Sequence, residues 1–274
     1  MTPSGTQITL ICPRGLRIFL PRFHGPDPPG APVTLLQFGA ATVIIAIGAM
    51  LQGTIGFGLA LFSAPLLLLV DPTLVPGPLL CSSGLLTLMM ARRDWASVQG
   101  KDLTWSIGGR LVGTGAALAV LTVLSHEWLD VLMGGLILLG VALSASGLHL
   151  RPAPRTLLAG GVLSGFMGTT TSIGGPAIAL VYQHEPGPRI RGTLSAFFVA
   201  GVVLSVLGLT AIGHFGWREL VLGAMLQPGI VVGFLLSRRT TGILDGGLTR
   251  PALLIVSGAA GAAVVLRDLW VRFG

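Results

Sequence analysis

The chain of 274 residues is 52% hydrophobic and only 10% charged, and its mean hydropathy is +0.84. A soluble domain needs about a quarter of its residues charged to solvate its surface, so this composition excludes a soluble globular protein. The net charge of +7 would suggest a nucleic-acid partner in a soluble protein, but here the bases lie in short loops between apolar runs and indicate membrane topology. We therefore expect contact with the lipid bilayer and none with nucleic acid.

The first 32 residues differ from the rest of the chain. Prolines that would break a helix stand there at Pro3, Pro13, Pro21, Pro26, Pro28 and Pro29. The apolar stretch at 8–12 is too short for the hydrophobic region of a signal peptide. We expect residues 1–32 to be a mobile, proline-rich tail, with a misassigned start as the alternative.

Residues 33–148 form the first predicted membrane repeat. Its apolar segments lie at 33–70, 74–90, 103–124 and 128–148, and glycines interrupt the first of them near 53–58. A hydrocarbon core of about 30 Å requires about 20 apolar residues per helix, whereas the strands of outer-membrane barrels alternate polar and apolar residues. The long apolar runs therefore predict helices and a multi-pass protein of the inner (plasma) membrane.

A polar linker at 149–155 leads to the second predicted repeat, residues 156–274. Its segments lie at 156–183, 193–213, 220–237 and 251–266, and the first is interrupted at 168–175. Glycine pairs at corresponding places support a duplication. The predicted fold is an all-α polytopic membrane protein with about eight transmembrane segments in two homologous four-segment halves, each beginning with a glycine-broken helix.

Two features of this pattern have structural interpretations. The spacings Gly109-x-x-x-Gly113 and Gly229-x-x-x-Gly233 are interpreted as packing features, because small residues let membrane helices approach closely. The loop bases do not decide whether the broken segments cross the membrane or dip in and return, since both arrangements give a similar bias of Lys and Arg.

No carboxylate lies in the middle of an apolar segment. The acidic residues stand in the tail, in loops or at segment ends: Asp27, Asp71, Asp94, Asp102, Glu127, Asp130, Glu185, Glu219, Asp245 and Asp268. Solitary histidines lie near the interfaces at His126, His149, His184 and His214. Intramembrane hydrolysis and metal binding need clustered acids, nucleophiles or ligands. We expect no enzyme activity, no catalytic residue, no metal and no cofactor.

The two glycine-rich breaks carry the candidate site. The first, Gln52-Gly-Thr-Ile-Gly-Phe-Gly58, leads to Pro65, and the second is Gly168-Thr-Thr-Thr-Ser-Ile-Gly-Gly-Pro176. Unwound backbone at membrane depth is tolerated where it lines a cavity or is buried in protein. Pro176 suits the first turn of a new half-helix, whose amino terminus offers free N–H donors and positive partial charge to an anion. A proline kink without a ligand is the alternative.

The candidate substrate-binding residues come from the two breaks and one arginine: Gln52, Gly53, Gly56, Gly58, Arg110, Thr169, Thr170, Thr171, Ser172, Gly174, Gly175 and Pro176. We predict that the turn at 169–176 binds through its backbone N–H groups and the hydroxyls of residues 169–172. Arg110 lies roughly 11 Å inside its segment at the helical rise. Snorkelling of this side chain to the interface is the preferred interpretation, and pairing with an anionic substrate is the alternative. Gln52 needs a hydrogen-bond partner, which a helix contact or the substrate path would supply equally well.

With these residues the chain resembles the TauE/SafE family of sulfite and organosulfonate exporters over about residues 33–266. The stretch Gly56-Phe-Gly-Leu-Ala-Leu-Phe-Ser-Ala-Pro65 is similar to the first family motif, and Gly174-Gly-Pro176 is similar to the second. The chain has Gly-Gly-Pro-Ala at a place where relatives often carry a second proline. The resemblance implies transport of sulfur-containing anions such as sulfite, sulfoacetate or thiosulfate.

We therefore expect a secondary transporter or permease that exports a small anionic substrate. Each negative charge that leaves a cell with a negative interior gains about 2.3 kcal/mol per 100 mV, so export requires no coupling ion. One alternative is a membrane scaffold or accessory subunit without transport activity. Another is an exporter of a different small metabolite. A homo-oligomer is compatible with the sequence, which does not decide the oligomeric state.

Overall fold

The computed structural model describes residues 35–240, except 125, 149 and 184, together with residues 254–264 and 266. The described residues form helices and no β-strand. The α-helices are α1 Leu35–Ile55, α2 Leu59–Val70, α3 Gly77–Arg93, α4 Gly100–Val123, α5 His126–Ala145, α6 Pro154–Thr171, α7 Gly175–Tyr182, α8 Gly187–Ala211, α9 Trp217–Met225, α10 Gln227–Thr240 and α11 Leu254–Val264. The predicted tail at 1–32 lies outside the described residues.

Among the described helices, three are long and apolar enough to cross a membrane: α1, α4 and α8. The pair α9 and α10, bent by 43° at the residue between them, would provide a fourth span. Shorter apolar helices are α2, α11 and residues 131–145 of α5. The prediction of an all-helical membrane protein is confirmed, and the number of eight segments stays a prediction.

Helix α4 turns its small and polar residues inward and its large apolar residues outward. On α4, Arg110 and Gly113 are buried, whereas the neighbouring Leu111 and Val112 are 52% and 62% exposed. This is the reverse of a helix on the surface of a soluble protein, and it suits a hydrocarbon solvent.

Helices α4 and α6 pack backbone against backbone. A side chain at Gly109 would meet the carbonyl oxygen of Leu158, and one at Gly113 would meet that of Val162. From the other side, a Cβ on Gly165 would lie 2.5 Å from the carbonyl oxygen of Arg110. Glycine is required at these three positions because any side chain would separate the helices.

Helices α1 and α10 pack in the same way. A Cβ on Gly229 would lie 2.7 Å from the carbonyl oxygen of Thr42, and one on Gly233 would meet the carbonyl oxygen of Ala46. The interpretation of both Gly-x-x-x-Gly pairs as packing features is therefore confirmed.

Segment 33–70 folds back on itself at its break. The Ser63 hydroxyl donates a hydrogen bond to the carbonyl oxygen of Ile44 at 3.3 Å, and Gln37 Nε2 donates to the carbonyl oxygen of Val70 at 3.4 Å. A residue further along α2 thus contacts a residue closer to the start of α1. The two helices form an antiparallel hairpin, whose ends lie together.

Segment 156–183 forms a second hairpin. Gly174, just before α7, lies beside Ser164, and the side chains of Ile178 and Val181 lie beside Gly160. The side-chain amide of Gln183 donates a hydrogen bond to the carbonyl oxygen of Leu148, which precedes α6. Both broken segments therefore return to the end from which they start, a point that the loop charges leave open.

Candidate functional site

The two breaks use different backbone conformations. The first break, residues 56–58, has φ angles of 103° at Gly56 and 126° at Gly58. Such values strain any residue with a Cβ, so glycine is required there. In the second break, residues 172–174, the positive φ of 66° belongs to Ser172, and Gly174 has a φ of −84°.

The two breaks meet inside the helix bundle. A Cβ added to Gly175 would lie 3.2 Å from Cβ of Phe57, which stands in the middle of the first break. A pocket of about 40 Å³ is lined by residues of both hairpins: Gln52, Gly58, Ser172, Gly174, Gly175 and Pro176, together with Arg110. We call it the central pocket. A cavity volume of about 10–15 Å³ is enough for one water molecule, so the central pocket has room for a small ion.

A second pocket of about 100 Å³ adjoins the first. Its lining includes Phe57, Leu180, Ile190 and Gln183, which directly follows α7. Pro176 lines both pockets. We call this the apolar pocket. It is separated from the central pocket where Phe57 packs against Gly175.

The side chain of Arg110 extends from α4 to contact α6 and α8, and it is only 3% exposed. Its Nη1 donates to the hydroxyl of Ser164 at 3.1 Å, and its Nη2 donates to the hydroxyl of Ser205 at 3.5 Å. The guanidinium carbon is 5.2 Å from the centroid of the Phe197 ring, a distance that allows cation–π attraction. The snorkelling interpretation of Arg110 is wrong, because its polar partners belong to neighbouring helices rather than to the interface.

The charge of Arg110 has no acidic partner within the described part of the chain, where the ion pairs involve other arginines. Its Nε is buried and has no hydrogen-bond partner among the described residues. Gly168 and Gly201 make room for the guanidinium, because a Cβ at either position would collide with its nitrogen atoms. Glycines and serines on α6 and α8 therefore form a cradle around one buried cation.

The sequence interpretation missed this cradle. Ser164, Ser205 and Gly201 contact the guanidinium, but each is an unremarkable small residue within an apolar helix. The available signal was the run of small residues Gly161, Ser164, Gly165 and Gly168 along one face of α6. Only the packing of α4 against that face identifies it as the place for Arg110.

Helix α7 begins at the central pocket. Pro176 occupies its second residue, and no side chain of the described residues caps its amino terminus with a hydrogen bond. Gly174, the N-cap residue, lies close to Arg110, since a Cβ there would be 3.0 Å from Arg110 Nη1. The predicted half-helix is confirmed. Its first N–H groups and the arginine share one small space.

Gln52 has a specific role in the first hairpin. Its Oε1 accepts a hydrogen bond from the backbone N–H of Leu59 at 3.1 Å. Leu59 is the first residue of α2, so Gln52 takes the place of an N-cap side chain. Gln52 lines the central pocket and at the same time satisfies a donor of its own hairpin.

The structure does not bring the threonine hydroxyls to the pocket. Thr170 and Thr171 each donate to the carbonyl oxygen four residues earlier in α6, at 2.8 Å. The hydroxyl of Thr169 lies 2.8 Å from that of Ser205, within the cradle of Arg110. Ser172 lines the pocket, and its hydroxyl donates to the carbonyl oxygen of Pro76 at 3.0 Å. Substrate binding by the backbone of this turn stays a prediction.

Gly53 and Gly56 also lie away from the central pocket. Gly53 packs closely against Ser237 of α10, and its carbonyl oxygen accepts a hydrogen bond from Arg93 Nη2 at 3.1 Å. Gly56 faces Ile190 and Arg191 at the start of α8. Both glycines therefore position the first break against neighbouring helices.

The sequence model of one protein family, described as "Sulfite exporter TauE/SafE", matches residues 40–264. The chain belongs to this TauE/SafE family. The match includes the first hairpin from residue 40 onward, the whole second hairpin and Arg110, and it confirms the resemblance drawn from the glycine motifs. No curated protein and no solved structure matches the chain. Membership identifies a membrane transporter of the exporter type, consistent with a non-enzyme, and leaves the substrate undefined.

Proposed function

We propose that this TauE/SafE protein is a secondary transporter that exports small sulfur-containing anions, such as sulfite or organosulfonates, across the inner membrane. The observation that supports this most directly is the central pocket. It combines a buried arginine and a helix amino terminus, which have no acidic partner and no side-chain cap, respectively, among the described residues; both attract anions. Non-helical backbone at membrane depth, such as that of the two breaks, is expected to line a substrate path.

We also propose that the chain consists of two homologous halves of four segments. The pairing of helices supports this: α1, the first helix of one half, packs on α10, and α6, the first helix of the other half, packs on α4. In each pair, the partner belongs to the third segment of the opposite half. The central helices α3 and α8 of the two halves also pack together.

The directions of the helices support halves of inverted topology. Helix α1 finishes beside the end of α3, where Arg93 donates to the carbonyl oxygen of Gly53. Helix α6 starts at that same end, because Leu158 near its start packs on Gly109 near the start of α4, and α4 follows α3 directly. The two hairpins therefore enter the bundle from opposite ends, as in other duplicated transporters.

The basic residues indicate which end faces the cytoplasm. At the end where α3 and α10 finish and α4, α6 and α8 begin lie Arg92, Arg93, Lys101, Arg151, Arg155, Arg189, Arg191, Arg238 and Arg239. Among the described residues, Arg218 is the one Lys or Arg at the other end. Cytoplasmic ends of membrane proteins are enriched in Lys and Arg. We propose that this basic end is cytoplasmic.

The apolar pocket then lies on the cytoplasmic side of the central pocket, since Gln183 and Ile190 border the start of α8. We propose that substrate enters through it when Phe57 separates from Gly175. The membrane potential favours export of an anion, so transport requires no coupling ion. Movement of the two hairpins between two conformations would provide alternating access.

The test is solute flux from proteoliposomes that contain the purified full chain. The panel is sulfite, thiosulfate, sulfoacetate, taurine and sulfate, measured with and without an imposed membrane potential. We expect saturable flux of at least one sulfur-containing anion, faster towards a positive compartment. A scaffold or accessory subunit would give no flux, and an exporter of another metabolite would transport none of the panel. Either result would overturn the proposal.

A further inference from the structure

We infer that the central pocket binds anions that carry a single negative charge and discriminates against dianions of similar size. This inference rests on the proposed function, and it narrows the substrate class by charge. Bisulfite and organosulfonate monoanions fall within the class, whereas sulfate, fully deprotonated sulfite and thiosulfate fall outside it.

The first support is the charge of the pocket lining. Among the described residues that line the central pocket, Arg110 carries the one ionisable side chain, and the polar remainder consists of Gln52, Ser83, Thr87 and Ser172. A guanidinium remains protonated in proteins. The pocket therefore presents one full positive charge.

The second support is that this charge is not already neutralised. None of the ion pairs between described residues includes Arg110, whose Nε lies buried without a hydrogen-bond partner. The two Nη atoms are held by Ser164 and Ser205, which are neutral acceptors. A bound anion with one charge would restore neutrality at this buried site.

The third support comes from the second hairpin. The amino terminus of α7 lines the same pocket, no side chain of the described residues caps it, and Gly174 lies next to the guanidinium. Its N–H groups can orient the oxygens of the anion. The partial charge of one short helix end is weak compared with a full charge, so it cannot compensate a second negative charge in a buried site.

The experiment compares two ligands of similar shape and fixed charge. Methanesulfonate is a monoanion and sulfate a dianion at pH 8, and their dissociation constants for the full chain are measured by calorimetry in detergent. We expect methanesulfonate to bind at least roughly tenfold more tightly. Equal binding, or tighter binding of sulfate, would overturn the inference while leaving an anion transporter in place. Absence of both binding and anion flux would overturn the proposed function as well.

Two variants, each with a matched control, test whether the selectivity arises in this pocket. Arg110→Gln should abolish binding of both anions, whereas Arg218→Gln, which changes the net charge equally but lies at the start of α9 and outside the pocket lining, should leave both dissociation constants unchanged. Ser83→Lys adds a second positive charge to the lining and should shift the preference towards sulfate by roughly tenfold or more. Its neutral control is Ser83→Gln. Should Arg110→Gln fail to fold, the wild-type comparison and the Ser83 pair still decide, and an unchanged preference in Ser83→Lys would contradict the inference.

Discussion

The two hairpins share one plan but treat the start of their second helix differently. In the first, Gln52 accepts the hydrogen bond of the Leu59 N–H at the start of α2. In the second, no side chain of the described residues caps α7, and Arg110 lies beside Gly174. The first helix start is thus satisfied within its own hairpin, whereas the second directs its donors towards the central pocket. Two hairpins of the same plan need not use their breaks for the same purpose.

The glycines of the two breaks also serve different purposes. Gly56 and Gly58 adopt positive φ angles that a side chain would strain. Gly174 and Gly175 have ordinary backbone conformations, but they lie close to Ser164 and Phe57. The first pair is needed for chain conformation and the second for close approach. Glycine is needed at position 175 for space rather than for backbone conformation.

The largest effect is expected at the second break. Gly175→Val should abolish flux, or lower it by roughly a hundredfold, because its side chain would press against Phe57 and fill the central pocket. The measurement is the initial rate of anion efflux from proteoliposomes at equal protein content. Parent-like flux in a folded Gly175→Val would mean that the two breaks do not form the substrate path.

The first break is expected to affect stability more than selectivity. Gly58→Ala forces a residue with a Cβ into a φ of 126°, which should cost about 1–3 kcal/mol of folding free energy. The matched control is Gly39→Ala in α1, where a new Cβ has no atom within 4 Å. Thermal unfolding in detergent should show a lower midpoint for the first variant alone. If the ratio of anion affinities changes instead, the first break contributes to recognition.

Removal of the side-chain cap gives a smaller effect. Gln52→Leu leaves the Leu59 N–H without its acceptor and should cost about 0.5–2 kcal/mol, the range found for lost helix caps. Anion affinity should change little, since the pocket loses the side-chain amide of Gln52 but gains the freed N–H donor of Leu59. A large loss of affinity at unchanged thermal stability would identify Gln52 as a substrate ligand and remove the contrast between the hairpins.

The smallest effect on anion binding is expected for Thr171→Val. The Thr171 hydroxyl donates to the carbonyl oxygen of Met167 and accepts from the N–H of Ile173 at 3.2 Å, so it supports the turn from within. We expect a loss of stability of about 1–3 kcal/mol, because the buried Ile173 N–H loses its acceptor, and an almost unchanged anion affinity. A clear loss of affinity without a loss of stability would restore the prediction that this hydroxyl contacts the ligand.

The sequence alone determined the class of the protein and the positions of its breaks. Apolar length and the scarcity of charge are local properties, and they predict membrane helices without knowledge of the packing. Gly58 and Pro176 mark where helices restart, because their backbone restrictions act within a few residues. The Gly-x-x-x-Gly pairs likewise predict close helix contacts, although not which helices meet.

Only the tertiary structure decided how these elements are used. The return of α2 along α1 depends on contacts such as Gln37 with Val70, which hydropathy cannot detect. The environment of Arg110 is built by Ser164 and Ser205, which lie 54 and 95 positions away in the chain. In a membrane, a polar side chain goes where neighbouring helices offer partners, because lipid offers none. The role of such a residue is therefore a property of the assembled bundle rather than of its own segment.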